Sequence, residues 1–233
     1  MPIPPRRLLT SVADVNVWRG RGESAFFFTA AMSVDADGAP RAYHPARPGR
    51  PSGSPPGLDD LRNAGRPGHW FGILTDASGR PLVQGASDPA PGFYISPTSL
   101  TNRARADARD PRHYIDATKI PYVVLPPAAM HAANARLGDI AAVFNRRNDQ
   151  LVHAIFADIG PKVHIGEGSV ALAKALGLPS DPKAGGVSDR ILVYVVFPRS
   201  GNGFGRPRRV IDRLGTRLLA EWGGIGRLRA VRP

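Results

Sequence analysis

Cysteine is absent from the 233 residues. Disulfides, thiolate metal sites and a cysteine nucleophile are excluded with it, and the fold must rest on its core alone. No apolar run approaches the roughly 20 residues that a membrane span needs. The N-terminal stretch MPIPPRRLLTSVADVNVW has two arginines but lacks the apolar segment of about 7–15 residues that marks a secretion signal. His44, His69, His113, His131, His153 and His164 show no zinc-like spacing, so neither a catalytic metal nor a cofactor is expected. Ser24, Ser169 and Ser188 lie outside any nucleophile-elbow context. No internal repeat is visible.

Hydrophobic residues make up 42% of the chain, enough for a buried core. Glycine (26) and proline (24) together exceed a fifth of it, which favours a loop-rich, strand-based fold over a helical bundle. The formal net charge is +12, unevenly spread. Residues 67–198 carry 13 basic and 11 acidic side chains, whereas residues 199–233 carry nine arginines against Asp212 and Glu221. The basic excess is therefore mainly a C-terminal feature and need not describe an active site.

Residues 1–24 read as an irregular N-terminal arm. Ala25 to Val34 reads as a buried strand ended by Asp35-Ala36-Asp37-Gly38, a turn rather than a calcium loop because no acid stands at the twelfth position. Residues 45–57 (PARPGRPSGSPPG) form a Pro/Gly-rich mobile loop within the domain. Hairpins are expected at 71–84, around Asp76–Arg80, and at 140–156, around Asn145–Asp149. Tyr122–Leu125 and Arg190–Phe197 read as buried strands. Ser169 caps a helix over 170–176 that Gly177 closes. Ile211, Leu214, Leu218, Leu219 and Trp222 recur at helical spacing, which predicts an amphipathic helix in the tail, 199–233, packed on the 25–198 domain. Many short strands with both faces apolar and few short helices suggest a mainly β fold, a small closed barrel, with a sandwich as the alternative.

Two carboxylates stand out. Asp158 ends an apolar strand before Ile-Gly-Pro, where a turn residue is the bland reading. Glu167 lies between Gly166 and Gly168, just before the Ser169 cap, where a solvated acid near a helix start is the bland reading. Together they sit on one connection from a buried strand to a helix, and the flanking glycines would let a polymer chain approach closely. Glycoside hydrolysis needs two such groups, one protonated and one ionised. Trp70, Phe71, Tyr94 and Tyr114 could stack on sugar rings, with Trp70 and Tyr94 the preferred candidates, and Asp59 or Asp60 could hold a substrate ammonium.

Several ordered segments resemble glycoside hydrolase family 75, the mainly fungal chitosanases. They are Ala25-Phe26-Phe27-Phe28-Thr29-Ala30, Tyr43-His44-Pro45, Gly57-Leu58-Asp59-Asp60-Leu61, Asn63-Ala64-Gly65 and Trp70-Phe71-Gly72-Ile73. Further on stand Gln84-Gly85, Asp88 through Tyr94, Ile120 through Pro126, Gly138 through Val143 and the Asp158–Leu176 stretch. The resemblance implies Asp158 and Glu167 as the catalytic pair and an inverting mechanism, with carboxyls roughly 6.5–9.5 Å apart. It also implies an amino-sugar polymer as partner and an extracellular location. The compact Ile-Gly-Pro-Lys-Val-His-Ile-Gly linker departs from the longer insertion of many fungal members and leaves the acid and base roles open. The Asp158–Gly177 pattern is also similar to double-psi β-barrels of the expansin-like and septal peptidoglycan-cleaving proteins. That likeness leans toward Asp158 as acid and Glu167 as base. Peptidoglycan is the alternative substrate. A second alternative is a non-enzymatic protein whose basic tail binds an anionic polymer; nucleic acid is disfavoured because no aromatic residues interleave with the arginines. No membrane partner is expected, and no oligomeric state is specified.

Overall fold

Strands arise here wherever a segment is apolar on alternate, or on both, faces. In the computed structural model, which describes residues 5–45 and 57–231, these are β1 (Arg6–Val12), β2 (Val15–Gly20), β3 (Phe26–Asp35), the two-residue β4 (Gly65–Arg66) and β5 (His69–Trp70), and β6 (Tyr122–Leu125). They continue with β7 (Ile140–Asn145), β8 (Gln150–Ile159), β9 (Glu167–Ser169) and β10 (Val187–Phe197). The helices are α1 (Pro127–Ala133), α2 (Val170–Ala175), α3 (Arg208–Trp222) and α4 (Gly224–Ala230).

Strands β3, β10, β7, β8, β6 and β9 hydrogen-bond in that order, and β9 pairs back onto β3. The result is a closed six-stranded barrel, not a sandwich. Two of its pairings are parallel, β6 with β8 and β3 with β9; the others are antiparallel. Successive side chains on a strand face opposite ways, so the barrel strands feed two apolar clusters. Phe26, Phe28, Met32, Val143, Phe156 and Tyr194 lie in one, with α2 through Leu172. Phe27, Tyr122, Ile140, Phe144, Val193 and Val195 lie in the other, with α3 and α4. Phe28 stacks on Tyr194 with ring centroids 4.7 Å apart. Fully burying one such side chain contributes roughly 1.5–3 kcal/mol.

The N-terminal segment is not an irregular arm. β1 and β2 form an antiparallel hairpin, and β2 extends the sheet by pairing Trp18 with Phe27 and Arg19 with Phe26. Its turn is Ala13-Asp14, with Ala13 at φ 51°, and Val12, Val15 and Val17 are buried beneath it. The 71–84 hairpin is reduced to a bridge between Thr75 and Pro81, because Leu74 and Leu82 also bond to the 93–95 segment: Leu74 N and Ile95 N donate to Ile95 O and Leu82 O. Eleven of the thirteen loop residues expected to be mobile, 46–56, lie outside the described residues.

In the tail, Ile211, Leu219 and Trp222 are buried on one side of α3 and Leu228 on α4. The Trp222 indole donates to Glu23 Oε2 at 3.1 Å, lies 5.9 Å from the Phe27 ring, and is covered by the Arg227 guanidinium at 4.1 Å. Arg227 also pairs with Glu23 at 2.7 Å. The tail is thus part of the same core as the barrel. Trp222→Ala is expected to lower the unfolding free energy by about 3–5 kcal/mol, measured by urea denaturation. A loss below about 1 kcal/mol would show that the tail melts independently of the barrel.

Candidate active site

The barrel register brings Asp158 and Glu167 together. On β6, Val124 is the cross-strand partner of Asp158 on one side and of Glu167 on the other. Glu167 in turn faces Ser33 on β3. One rung therefore reads Asp158, Val124, Glu167, Ser33 across four strands, and all four residues line a cleft of about 860 Å³. With about 4.8 Å per strand step, the Cα atoms of the two acids are roughly 10 Å apart.

A β-bulge aims Asp158. Val123 pairs with Phe156 and Val124 with Asp158, so Ala157 is the extra residue. The Ala157 carbonyl instead accepts from Leu100 N at 2.8 Å, which draws the 97–100 loop onto the strand end. Ser99 then donates to Asp158 Oδ1 through its backbone N at 2.9 Å and its hydroxyl at 2.5 Å, and Ile159 N adds a third bond at 2.9 Å.

The glycines beside Glu167 have a different use from the one the sequence suggested. Gly166 has φ 99°, and a Cβ there would meet the Ala31 carbonyl oxygen at 2.6 Å. A Cβ on Gly168 would strike Leu172 Cδ2 at 2.7 Å and Met32 Cε at 2.9 Å. Both glycines permit close packing of β9 into the barrel rather than the approach of a polymer. The glycine that does border the Glu167 carboxyl is Gly160, whose Cβ would lie 3.3 Å from Oε2. Among the described residues, no hydrogen bond reaches the Glu167 side chain.

Asp35 and Asp37 form a turn as expected, with Asp37 N donating to Asp35 Oδ1 at 2.8 Å. The turn, however, projects into the cleft, which the sequence reading missed. Carboxylate oxygens of Asp35, Asp37 and Asp158 lie within 4.8 Å of one another, an all-oxygen set of the kind that suits hard cations. Tyr43 and Ser96 donate to Asp37 Oδ1 at 2.8 and 3.0 Å. Asp59 also lines the cleft, buried and held by Asn63 Nδ2 at 2.8 Å and Asp60 N at 2.6 Å. Asp60 lies outside it, bound to Arg62 at 2.7 Å, which holds its carboxyl down to about 2. Trp70 and Tyr94 also stay off the cleft wall: they pack on the core, with ring centroids 6.5 Å apart. Two aromatic residues line the wall among the described residues: Tyr43, which is buried, and Phe71, whose ring is exposed.

Among the described residues, five carboxyls thus share the cleft, and the one cation lining it, Arg62, is committed to Asp60. Burial, then the neighbouring charges of Asp35, Asp158 and Asp59, pushes Glu167 up to about 8. Burial and the Asp158 charge push Asp35 up to about 7. Asp37 is raised further by burial and by Asp35. Burial raises Asp158 as well, opposed by the Ser99 and Ile159 hydrogen bonds, which favour its charged form. The arrangement can hold one carboxyl protonated beside another kept ionised, as acid–base cleavage requires.

In comparisons with known proteins, residues 95–212, just over half of the chain, match the family model described as fungal chitosanase of glycosyl hydrolase group 75. The matched range includes Asp158 and Glu167 but not Asp35, Asp37, Asp59 or Phe71. No curated protein matches the chain.

A carboxyl raised on folding weakens the fold as pH climbs from its unfolded value toward its folded one, because the unfolded chain sheds the proton first. Between about pH 4.5 and 8, Glu167 therefore costs stability. Glu167→Gln is expected to stabilise the protein more at pH 8 than at pH 5, by roughly 1–3 kcal/mol, as read from thermal unfolding at both pH values. An equal effect at the two would refute the raised carboxyl.

Proposed function

The chain belongs to glycosyl hydrolase group 75, and on that premise we propose that it is an endo-acting hydrolase of the β-1,4 linkages of chitosan, working by inversion with Asp158 and Glu167. The observation that carries the proposal is the shared rung, which sets the two acids one strand apart, on either side of Val124, in one cleft. A two-step separation suits the roughly 6.5–9.5 Å spacing that leaves room for a water in inverting enzymes.

The hydrogen-bond environments support Glu167 as acid and Asp158 as base, the reverse of the assignment suggested by the double-psi likeness. Glu167 is raised to about 8 and receives no hydrogen bond from the described residues, so it carries a proton at neutral pH. Asp158 accepts three donors on Oδ1, which favour the carboxylate. In the proposed step, Glu167 delivers its proton to the bridging oxygen as the C1–O bond breaks. A water attacks C1 from the opposite face and gives its proton to Asp158. Solvent exchange then returns a proton to Glu167 and removes one from Asp158.

The charge of the cleft favours a cationic polymer. Among the described residues the cleft is lined by five carboxyls and one cation, Arg62, which is paired with Asp60, whereas residues 199–233 carry nine arginines against two acids. Peptidoglycan, with carboxylates of its own, would meet like charge there. Four of the nine arginines of the basic tail pair with acids, Arg208–Asp212, Arg217–Glu221 and Arg229–Asp149 at the surface and Arg227–Glu23 largely buried, which weakens the reading as an anionic-polymer binder. Acting on such a polymer, the enzyme would work outside the cell.

The test is release of reducing ends, with falling viscosity, from soluble chitosan and from peptidoglycan. Chitosan is the expected substrate. Asp158→Asn and Glu167→Gln should each lower the rate about 10²–10⁴-fold in folded protein, and activity surviving in both would sink the pair. With short soluble oligomers, kcat/KM should fall above about pH 8 as Glu167 loses its proton; a profile still rising there would refute its role as acid.

A further inference from the structure

We infer that Phe71 is the sugar-stacking wall of the cleft and supplies much of its binding of the substrate, an inference that rests on the hydrolase reading above. Phe71 lines the cleft with 72% of its surface exposed, so the fold gains little from burying the ring. Its backbone is nevertheless pinned. Phe71 N and Gly72 N both donate to the Ala64 carbonyl, at 3.0 and 3.1 Å, directly after the small β4–β5 ladder. The chain direction is fixed as well: Trp70 turns inward onto Tyr94, so the next side chain turns outward.

That outward position stands beside the acids. A Cβ on the next residue, Gly72, would lie 3.2 Å from Asp37 Oδ1, so the backbone that carries Phe71 runs beside the carboxyl floor, and both line the same cleft. The end of β8 brings further apolar surface to the same cleft, in Ile159, 39% exposed, and Pro161. An apolar face next to a floor of carboxyls complements one chemistry in particular. A pyranose ring of an amino sugar has C–H bonds on its flat faces and a cationic group at its rim. The ring face lies on the aromatic wall, while the amine turns to the floor.

The experiment compares wild type, Phe71→Ala and Phe71→Tyr on soluble chitosan over a range of concentrations. Because the ring is exposed, all three should melt within about 2 °C of one another. Phe71→Ala should raise KM roughly tenfold while kcat at saturation stays within about twofold. Phe71→Tyr, which keeps an aromatic face, should stay near wild type. Normal wild-type cleavage with an unmoved KM in Phe71→Ala, or an equal loss in the Tyr variant, overturns the inference alone. A wild type that cleaves no amino-sugar polymer overturns the hydrolase reading and this inference with it.

Discussion

Val124 takes its register from two strands at once, and that wedge position of β6 is the constraint on which the rest of the molecule depends. β8 and β9 follow one another in the chain, yet they never pair; β6 lies between them, parallel to one and antiparallel to the other. Had they formed a simple hairpin, Asp158 and Glu167 would be cross-strand neighbours too crowded for a water and a glycosidic bond between them. The inserted strand gives the gap its width. The bulge at Ala157 then lets Asp158 face the cleft and frees a carbonyl to recruit the loop that carries Ser99.

The same geometry concentrates charge. β9 pairs with the end of β3, so the turn that follows β3 arrives with Asp35 and Asp37 beside Asp158. Like charges so close cannot all ionise, and protons stay in the cleft at neutral pH. This is a local debt against stability carried by a molecule whose barrel is apolar on both faces. Residues 199–233 carry nine arginines against two acids, and ion pairs on α3 and α4 take up part of that charge. An acidic cleft inside a basic protein is therefore a matter of placement, not of composition.

Much of the architecture was legible because its physics is local. β10 and the β7–β8 hairpin are apolar on both faces, Ser169 accepts from Leu172 N as a cap, and the tail repeats its apolar residues at helical spacing. The β1–β2 hairpin was hidden because its turn, Ala13-Asp14, lacks the glycine or asparagine that advertises a tight turn, and because β1 is largely exposed. At the site, Asp158 and Glu167 were visible as a pair through ordered resemblance and not through spacing. The part played by Asp35 and Asp37 was invisible, since it follows from a parallel pairing between positions near 33 and 167. Trp70 and Phe71 were both candidates for a stacking ring; they are adjacent, and only the direction of the strand decides which one lines the cleft.

The closing pair β3–β9 joins residues more than a hundred positions apart, and parallel partners of that separation are slow to find one another. Glu167 has no defined neighbour across the cleft until that search ends, because its own strand is three residues long and is held by β3 on one side and β6 on the other. Assembly of the cleft is consequently a late event in folding. A chain that has collapsed without sealing its seam owns both acids but not the cleft that gathers them, so on the proposed assignment cleaving power would report complete folding.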